Sequence, residues 1–283
     1  MDQISSQFGI TRQAHYQKQH REAVRNMENE IILEMIRLIR RKHPRMGGRK
    51  VLYKIRPMLA SESLNIGRDR LFELLRGADL LIKPKKKYRR TTIPGLWRAP
   101  NRLPGVSISY CDQVWVCDIT YLELMESRFA YLLLLMDLYS RYIVGWHVSN
   151  SLATDGALVS LEMALSQRTH RSMGLIHHSD HGVQYTSRAY MNALIGNDVL
   201  ASMGAVGNCY DNIYAERVIG ILKGEYGLNT PFVNLNQVAS IVEEVVGLYN
   251  SDRPHLSLGL ATPRDVYLGN IVNVPTISIP VAV

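Results

Sequence analysis

The sequence predicts a mixed α/β fold: a sheet begun by three antiparallel strands and covered by helices on both faces, preceded by a small all-α region. Three observations predict it. Residues 114–148 carry three apolar or alternating runs at short spacing, the pattern of an antiparallel meander. Helix and strand patterns then alternate as far as residue 226, which calls for a sheet with helices on its faces. Residues 28–76 carry helical periodicity alone.

The helical region comes first. Ile31, Ile32, Met35, Leu38 and Ile39 recur at the spacing of one apolar face within Glu28–Arg41, with Glu30, Glu34, Arg37 and Arg41 opposite. After Gly47-Gly48, a second stripe runs through Val51, Leu52, Ile55 and Leu59, which Pro57 is expected to bend or restart. The polar turn Ser61-Glu62-Ser63 leads to a third helix over Gly67–Arg76. There Leu71, Leu74 and Leu75 face inward and Arg68, Arg70 and Arg76 outward. Two short helices joined by a tight turn, the second edged with arginine, fit a helix-turn-helix. Phe8–Gln13, with Thr11 as its cap, reads as the start of a further helix.

Lys83–Arg90 reads KPKKKYRR, and Pro84, Pro94, Pro100 and Pro104 make this stretch a linker. Between two domains of a DNA-binding protein, Lys85, Lys86, Lys87, Arg89 and Arg90 are expected along a phosphate backbone, with Tyr88 stacking on a base. Beyond it come strands over Val114–Tyr121, Phe129–Met136 and Tyr142–Val148, then a helix capped by Thr154-Asp155 with Ala157, Leu158, Leu161 and Leu165 buried. Short strands over Leu175–His178 and Leu200–Met203 bracket a helix over Arg188–Leu194, and a long helix runs from about Asp211 to Tyr226.

Charge divides the chain. The net formal charge of +8 conceals 24 basic against 9 acidic residues in 1–105, and 9 against 16 in the remainder. A net +15 in about a hundred residues points to a polyanion, and nucleic acid is the expected partner. Phe129–Met136, the longest apolar stretch, is far short of the roughly 20 residues that span a bilayer. No secretory signal opens the sequence. Cys111, Cys117 and Cys209 form no CxxC pair, which argues against structural zinc and a disulfide framework. A soluble protein of a reducing compartment is expected.

Three acidic residues stand out: Asp118 late in the first strand (WVCDITY), Asp180 after a short strand (IHHSDHGVQY) and Glu216 on the long helix. A buried carboxylate costs several kcal/mol unless paired or bound to metal. Should the three converge, hard divalent cations with oxygen ligands would offset their repulsion, and two such ions suit phosphodiester chemistry. Glu216 and Lys223 lie two turns apart on one helical face, with Asn212 one turn earlier. His177, His178 and His181 are assigned to structure or DNA contact, because magnesium prefers oxygen ligands.

The order Asp118, 61 residues, Asp180, 35 residues, Glu216, with Lys223 seven beyond, resembles the signature of DDE transposases and retroviral integrases. The blocks WVCDITY, HHSDHGVQY, GNCYDNIYAERVIGILKGEY and YNSDRPHLSLGLATP resemble the OrfB-type transposases of the insertion-sequence-three family. The MGGRK…IGRDRLFELLR…KYRRTT region is similar to that family's helix-turn-helix. The resemblance implies an RNase H-like (integrase) catalytic core with Asp118, Asp180 and Glu216 as catalytic residues and metal ligands. It implies two Mg²⁺ ions per site, with Mn²⁺ as a substitute, and Lys223 on the element's terminal DNA. Cleavage would release a 3′-hydroxyl that then attacks a second strand, with no covalent protein–DNA intermediate.

The implied organisation is a helix-turn-helix DNA-binding region (1–82), a basic linker (83–107), the catalytic core (108–230), and a C-terminal helix and tail on that core (231–283). Implied partners are the element's terminal inverted repeats, target DNA, further copies of the chain at synapsis, and an upstream-frame fusion partner. The implied location is a bacterial, nucleoid-associated cytoplasm. Departures are modest: Cys117 stands where the family often has Thr, His181 where Arg or Lys is common, and Cys209 where Pro is common. Tyr249, Asn250, Arg253, Pro254 and His255 match the family without an assigned role. Two other readings share these features: an RNase H-like metal-dependent nuclease without joining activity, and a non-catalytic DNA-binding regulator.

Overall fold

The computed structural model describes residues 12–82, 99–169, 174–204 and 212–280. The chain divides into two compact units, Met1–Lys83 and Pro84–Val283.

In the first unit, α1 spans Arg12–Lys42, α2 spans Gly48–Ser61 and α3 spans Arg68–Gly77. Helix α1 is a single run of 31 residues, far longer than its apolar stripe. No Gly or Pro interrupts it, and Gln, Glu, Arg, Lys and Ala are strong helix formers. It ends where Pro44 disfavours helical geometry at His43. Ile32, Ile36, Met46, Val51, Ile55, Leu71 and Leu75 form a fully buried core. The expected break at Pro57 does not occur: α2 continues to Ser61. The carbonyl of Tyr53 that Pro57 cannot serve lies on an exposed turn, where water can serve it. The α2–α3 turn closes through Leu64 N–H donating to Leu59 C=O at 2.8 Å.

The second unit is built on a five-stranded mixed sheet. Strand β1 (Ser107–Ile108) pairs with β7 (Ile277–Ser278) in a separate ribbon. The main sheet holds β2 (Val114–Glu123), β3 (Phe129–Asp137), β4 (Ile143–Ser149), β5 (Leu175–Ser179) and β6 (Val199–Met203). Its order is β4-β3-β2-β5-β6. β2 and β3 pair antiparallel from Trp115↔Asp137 to Glu123↔Phe129, and β3 pairs antiparallel with β4. β5 lies parallel to β2, and β6 parallel to β5. The chain therefore builds outward from β2 first to one side and then to the other, which makes the carboxyl end of β2 a topological switch point.

Helices α4 (Thr154–Gln167), α5 (Val183–Thr186), α6 (Arg188–Gly196), α7 (Ile213–Tyr226), α8 (Leu235–Ser251) and α9 (Pro263–Tyr267) complete the unit. α4 buries a small-residue face of Gly156, Ala157, Ser160 and Ala164. Its backbone comes so near β4 that a Cβ on Gly145 would stand 2.2 Å from Ser160 C=O. The expected Thr154-Asp155 cap is corrected: Ala153 is the N-cap, no side chain caps the helix, and Thr154 already lies inside it.

Buried polar groups secure the ends of the sheet. Asp112 accepts from Trp115 Nε1 at 3.0 Å, Tyr267 O–H at 2.9 Å and Thr169 N–H at 2.9 Å. Those bonds fasten α9 and the segment after α4 to the start of β2. Asn250 on α8 accepts from Ile143 N–H at 2.9 Å and donates to Ile143 C=O at 3.1 Å, serving the first residue of β4 as a neighbouring strand would. Asn250→Ala is expected to leave two buried backbone groups unsatisfied and cost about 2–4 kcal/mol. The urea transition of the larger unit measures this, and an unchanged midpoint would contradict it.

Candidate active site

Two of the three expected acidic residues sit on or beside adjacent parallel strands, and Asp118, expected late in its strand, stands midway along β2 because the strand continues to Glu123. Asp118 is half-buried on β2, and Asp180 follows β5 directly. β2 and β5 stay paired only as far as Val116↔His178, so the strands part just where these carboxylates stand. Asp180 accepts from Gly182 N–H at 2.9 Å. A Cβ on Gly182 would lie 3.0 Å from that same carboxylate oxygen, so glycine is what lets the turn fold under Asp180.

Glu216 occupies the first turn of α7 and is exposed. The helix is laid along β2 by contacts at both ends. Asn212 Nδ2 donates to Cys117 C=O at 3.0 Å, and Lys223 Nζ donates to Tyr121 C=O at 2.7 Å. Eleven helical residues rise roughly 16 Å and four strand residues roughly 13 Å, so helix and strand run in the same direction side by side. Asn212, Glu216 and Lys223 share one helical face at i, i+4 and i+11.

The electrostatics identify a common neighbourhood. Loss of solvation first, then the Asp180 charge and to a lesser degree Glu216, push the Asp118 carboxyl up to about 8; the Ile119 amide and Lys223 act the other way. Burial raises the Glu216 carboxyl. Burial lowers the Lys223 ammonium while Asp118 holds it up. The donor set is all carboxylate, the chemistry hard divalent cations take. Among the described residues, however, no three His, Cys, Asp or Glu side chains are gathered closely enough to hold a metal ion. Asp118 feels the other two carboxylates without sharing a closed ligand shell with them.

The histidines face other partners. Burial lowers His177 to about 3, and its Nε2 lies 2.9 Å from Tyr190 O–H. His178 Nδ1 lies 2.9 Å from Ser202 Oγ on β6. His181 Nε2 meets Gly204 C=O. Beneath Asp118 lie residues the motif spacing did not single out. Cys117 is a buried free thiol, and Tyr185 is buried with its hydroxyl unpaired among the described residues. Tyr185 belongs to the HHSDHGVQY block, and that block membership is its only trace in the sequence.

The remaining expected DNA contacts divide. Arg68 is exposed and pairs with its neighbour Asp69 at 2.8 Å. Arg70 does not point freely outward as expected: half-buried, it bonds Glu28 at 3.1 Å and Asn29 at 3.0 Å on α1. Glu28 and Asn29 lie on the helix that the periodicity predicts, and what periodicity does not register is a contact between helices spanning 42 and 41 residues. Lys85, Lys86, Lys87, Arg89 and Arg90 lie outside the described residues, as do Thr11, Cys209 and Asp211. In the YN…RPH block, Arg253 forms a bidentate pair with Glu225 at 2.8 Å and lies over the Tyr249 ring. That pair ties α8 to the end of α7. Among the described residues no helix is long and apolar enough to cross a membrane.

The integrase core domain family matches residues 111–209, and a second integrase core domain family matches 197–263. An uncharacterized 31 kDa protein of an IS600 insertion element from Shigella sonnei is 33% identical over 262 residues, covering 90% of this chain and 94% of that protein. The transposase InsF of insertion sequence IS3A from Escherichia coli K12 is 35% identical over 154 residues, covering 54% of this chain and 53% of that one. Among solved structures, the catalytic core domain of the HTLV-2 integrase in complex with magnesium aligns at TM-score 0.44 and 15% identity, covering 59% of this chain and 99% of the core. With a relative at this identity matched over nearly its whole length, the chain belongs to the transposases of bacterial insertion sequences, in the insertion-sequence-three family.

Proposed function

We propose that Asp118, Asp180 and Glu216 form the catalytic site of this transposase and hold divalent cations, Mg²⁺ or Mn²⁺, while it cuts and joins DNA ends. The observation that carries the proposal is the Asp118 carboxyl, raised to about 8 by lost solvation and by the two other carboxylates beside a sheet switch point. A site that unfavourable without a counter-charge is suited to gain one, and a cation there would supply positive charge to a phosphodiester.

The chain's own part is positioning. Asp118 stands on β2 and Asp180 just past the end of β5, and both stay fixed. Glu216, exposed on α7, is the member that moves inward to complete the set. In the first step a water oxygen forms a bond to phosphorus, the strand's 3′ oxygen leaves, and a proton from water restores it as a 3′-hydroxyl. In the second, that hydroxyl oxygen bonds to a phosphorus of another strand and displaces its 3′ oxygen, so bonds made and broken balance and no external energy source is needed. Lys223, at the same edge as Asp118, supplies a cation for terminal DNA, and the basic N-terminal unit and linker supply sequence-independent phosphate contacts. Joining rather than hydrolysis alone is favoured by the family to which the chain belongs.

Glu216→Gln is expected to keep end-specific DNA binding while lowering cleavage and joining of labelled element ends at least roughly a hundredfold, since even groups supporting a metal ligand carry 10–100-fold. Appreciable joining by that variant would overturn the assignment. Mg²⁺ or Mn²⁺ at a hundred times its dissociation constant is expected to raise the melting temperature of the chelator-treated chain by about 5 °C or more. Asp180→Ala should leave it flat; an equal rise in both would place the cation elsewhere. Lys223→Ala should weaken binding to pre-cleaved ends and reduce the salt slope by about one. A slope equal to wild type would remove Lys223 from the phosphate contacts.

A further inference from the structure

We infer that Asn212 is a positioning residue of the joining reaction: its carboxamide sets the helix that carries Glu216 against the strand that carries Asp118. The inference rests on the reading of those carboxylates as the active site. Asn212 is the N-cap of α7, and asparagine is among the residues best suited to cap a helix by accepting from its first amides. Here it makes no such bond. Its side chain instead reaches across to β2, where Nδ2 donates to the carbonyl of Cys117, the residue immediately before Asp118. Asn212 is 8% exposed, and its Oδ1 is buried with no partner among the described residues. A residue that only stabilised the helix would spend its oxygen on the N-terminal amides. This one gives up the cap to keep a cross-link.

Placement explains the consequence. Asn212 stands one turn before Glu216 on the same face. The tether therefore fixes the height and rotation of α7 at the turn where Glu216 departs. Lys223 holds the far end of the helix, two turns beyond Glu216. Without the Asn212 bond, α7 remains attached by its buried face of Ala215, Val218, Ile219 and Leu222, at Lys223 and through Glu225 to Arg253, so the fold persists while the first turn, which carries Glu216, loses its polar anchor to β2. Aspartate at 212 would keep the length but present an acceptor to the Cys117 carbonyl, and a longer carboxamide would keep the donor.

The test uses the full chain, with four measurements on each variant: Mn²⁺ binding by calorimetry without DNA, affinity for labelled element ends, turnover of strand joining, and thermal melting. For Asn212→Ala and Asn212→Asp, Mn²⁺ affinity should fall about tenfold, within the range seen when groups supporting a metal ligand are removed. Joining turnover should fall at least as far, while end affinity stays within about twofold and melting within a few degrees. Asn212→Gln should recover part of both losses. Wild-type Mn²⁺ affinity and turnover in Asn212→Ala would overturn the inference, as would a joint loss of melting temperature, end binding and turnover, which marks a merely structural residue. Glu216→Gln separates the two layers. An active Glu216→Gln brings down the active-site reading and this inference with it, whereas an inactive one beside a normal Asn212→Ala brings down this inference alone.

Discussion

A carboxylate on the middle strand of a sheet, with a second carboxylate at the end of the next strand, is the constraint around which the larger unit is arranged. Asp118 loses most of its hydration there, and Asp180 and Glu216 make its ionisation harder still. A fold gains nothing from such an arrangement by itself, since burying like charges opposes folding. The nearby compensation is small: the Ile119 amide and the ammonium of Lys223, itself weakened by burial. What remains is a local surplus of negative charge in a chain whose total charge is positive. On the proposed reading, that contrast between a basic first third and an acidic pocket in the remainder lets one polypeptide attract a polyanion broadly and take cations at one point.

Discrete polar contacts hold α7 from two sides. On the strand side, Asn212 and Lys223 donate to β2 carbonyls four residues apart along the strand. On the far side, Arg253 grips Glu225 with two bonds while its side chain is 5% exposed. Buried ion pairs are poor sources of stability but good at fixing one arrangement over others. Asn250, three residues earlier, pins the first residue of β4. The YN…RPH block, whose match to the family carried no role in the sequence, thus joins α8 to α7 and to the sheet, and its work is to seat the helix that carries Glu216.

How much of this was legible follows from how each element earns its structure. The three meander strands were read to within two residues because their apolar runs are long and their turns short. The position of Asp180 just past a strand was readable for the same reason, whereas Asp118, read as late in its strand, stands midway because β2 runs on to Glu123. Helix α1 was read as half its length because residues 12–27 bury almost nothing; their helicity rests on composition and the absence of Gly and Pro, which periodicity does not register. Arg70 was read as pointing outward because its partners Glu28 and Asn29 lie 42 and 41 residues earlier on another helix, and periodicity within α3 does not register a contact between helices. Pro57 and Thr154 misled through local rules that solvent exposure and neighbouring packing override. The contacts of Asn212, Asn250 and Arg253 span 28 to 107 residues, and no pattern within a window of the sequence encodes them.

The histidines sharpen the division between fixed and adjustable parts of the site. His177 is neutral against Tyr190, His178 bonds Ser202 on β6, and His181 bonds Gly204 just past β6. Together they lock β5 to β6 and to α6 immediately behind Asp180. Asp180 therefore stands on ground braced from two sides, and Asp118 on a strand paired along both edges at its start. Glu216 is placed differently: its side chain is exposed, on a helix whose other face buries Ala215, Val218, Ile219 and Leu222. On the proposed reading, free energy that DNA and cations bring to the site would act on the Glu216 side chain and the first turn of α7 that carries it. In that reading α7 is the element through which binding of the correct end would control whether chemistry proceeds.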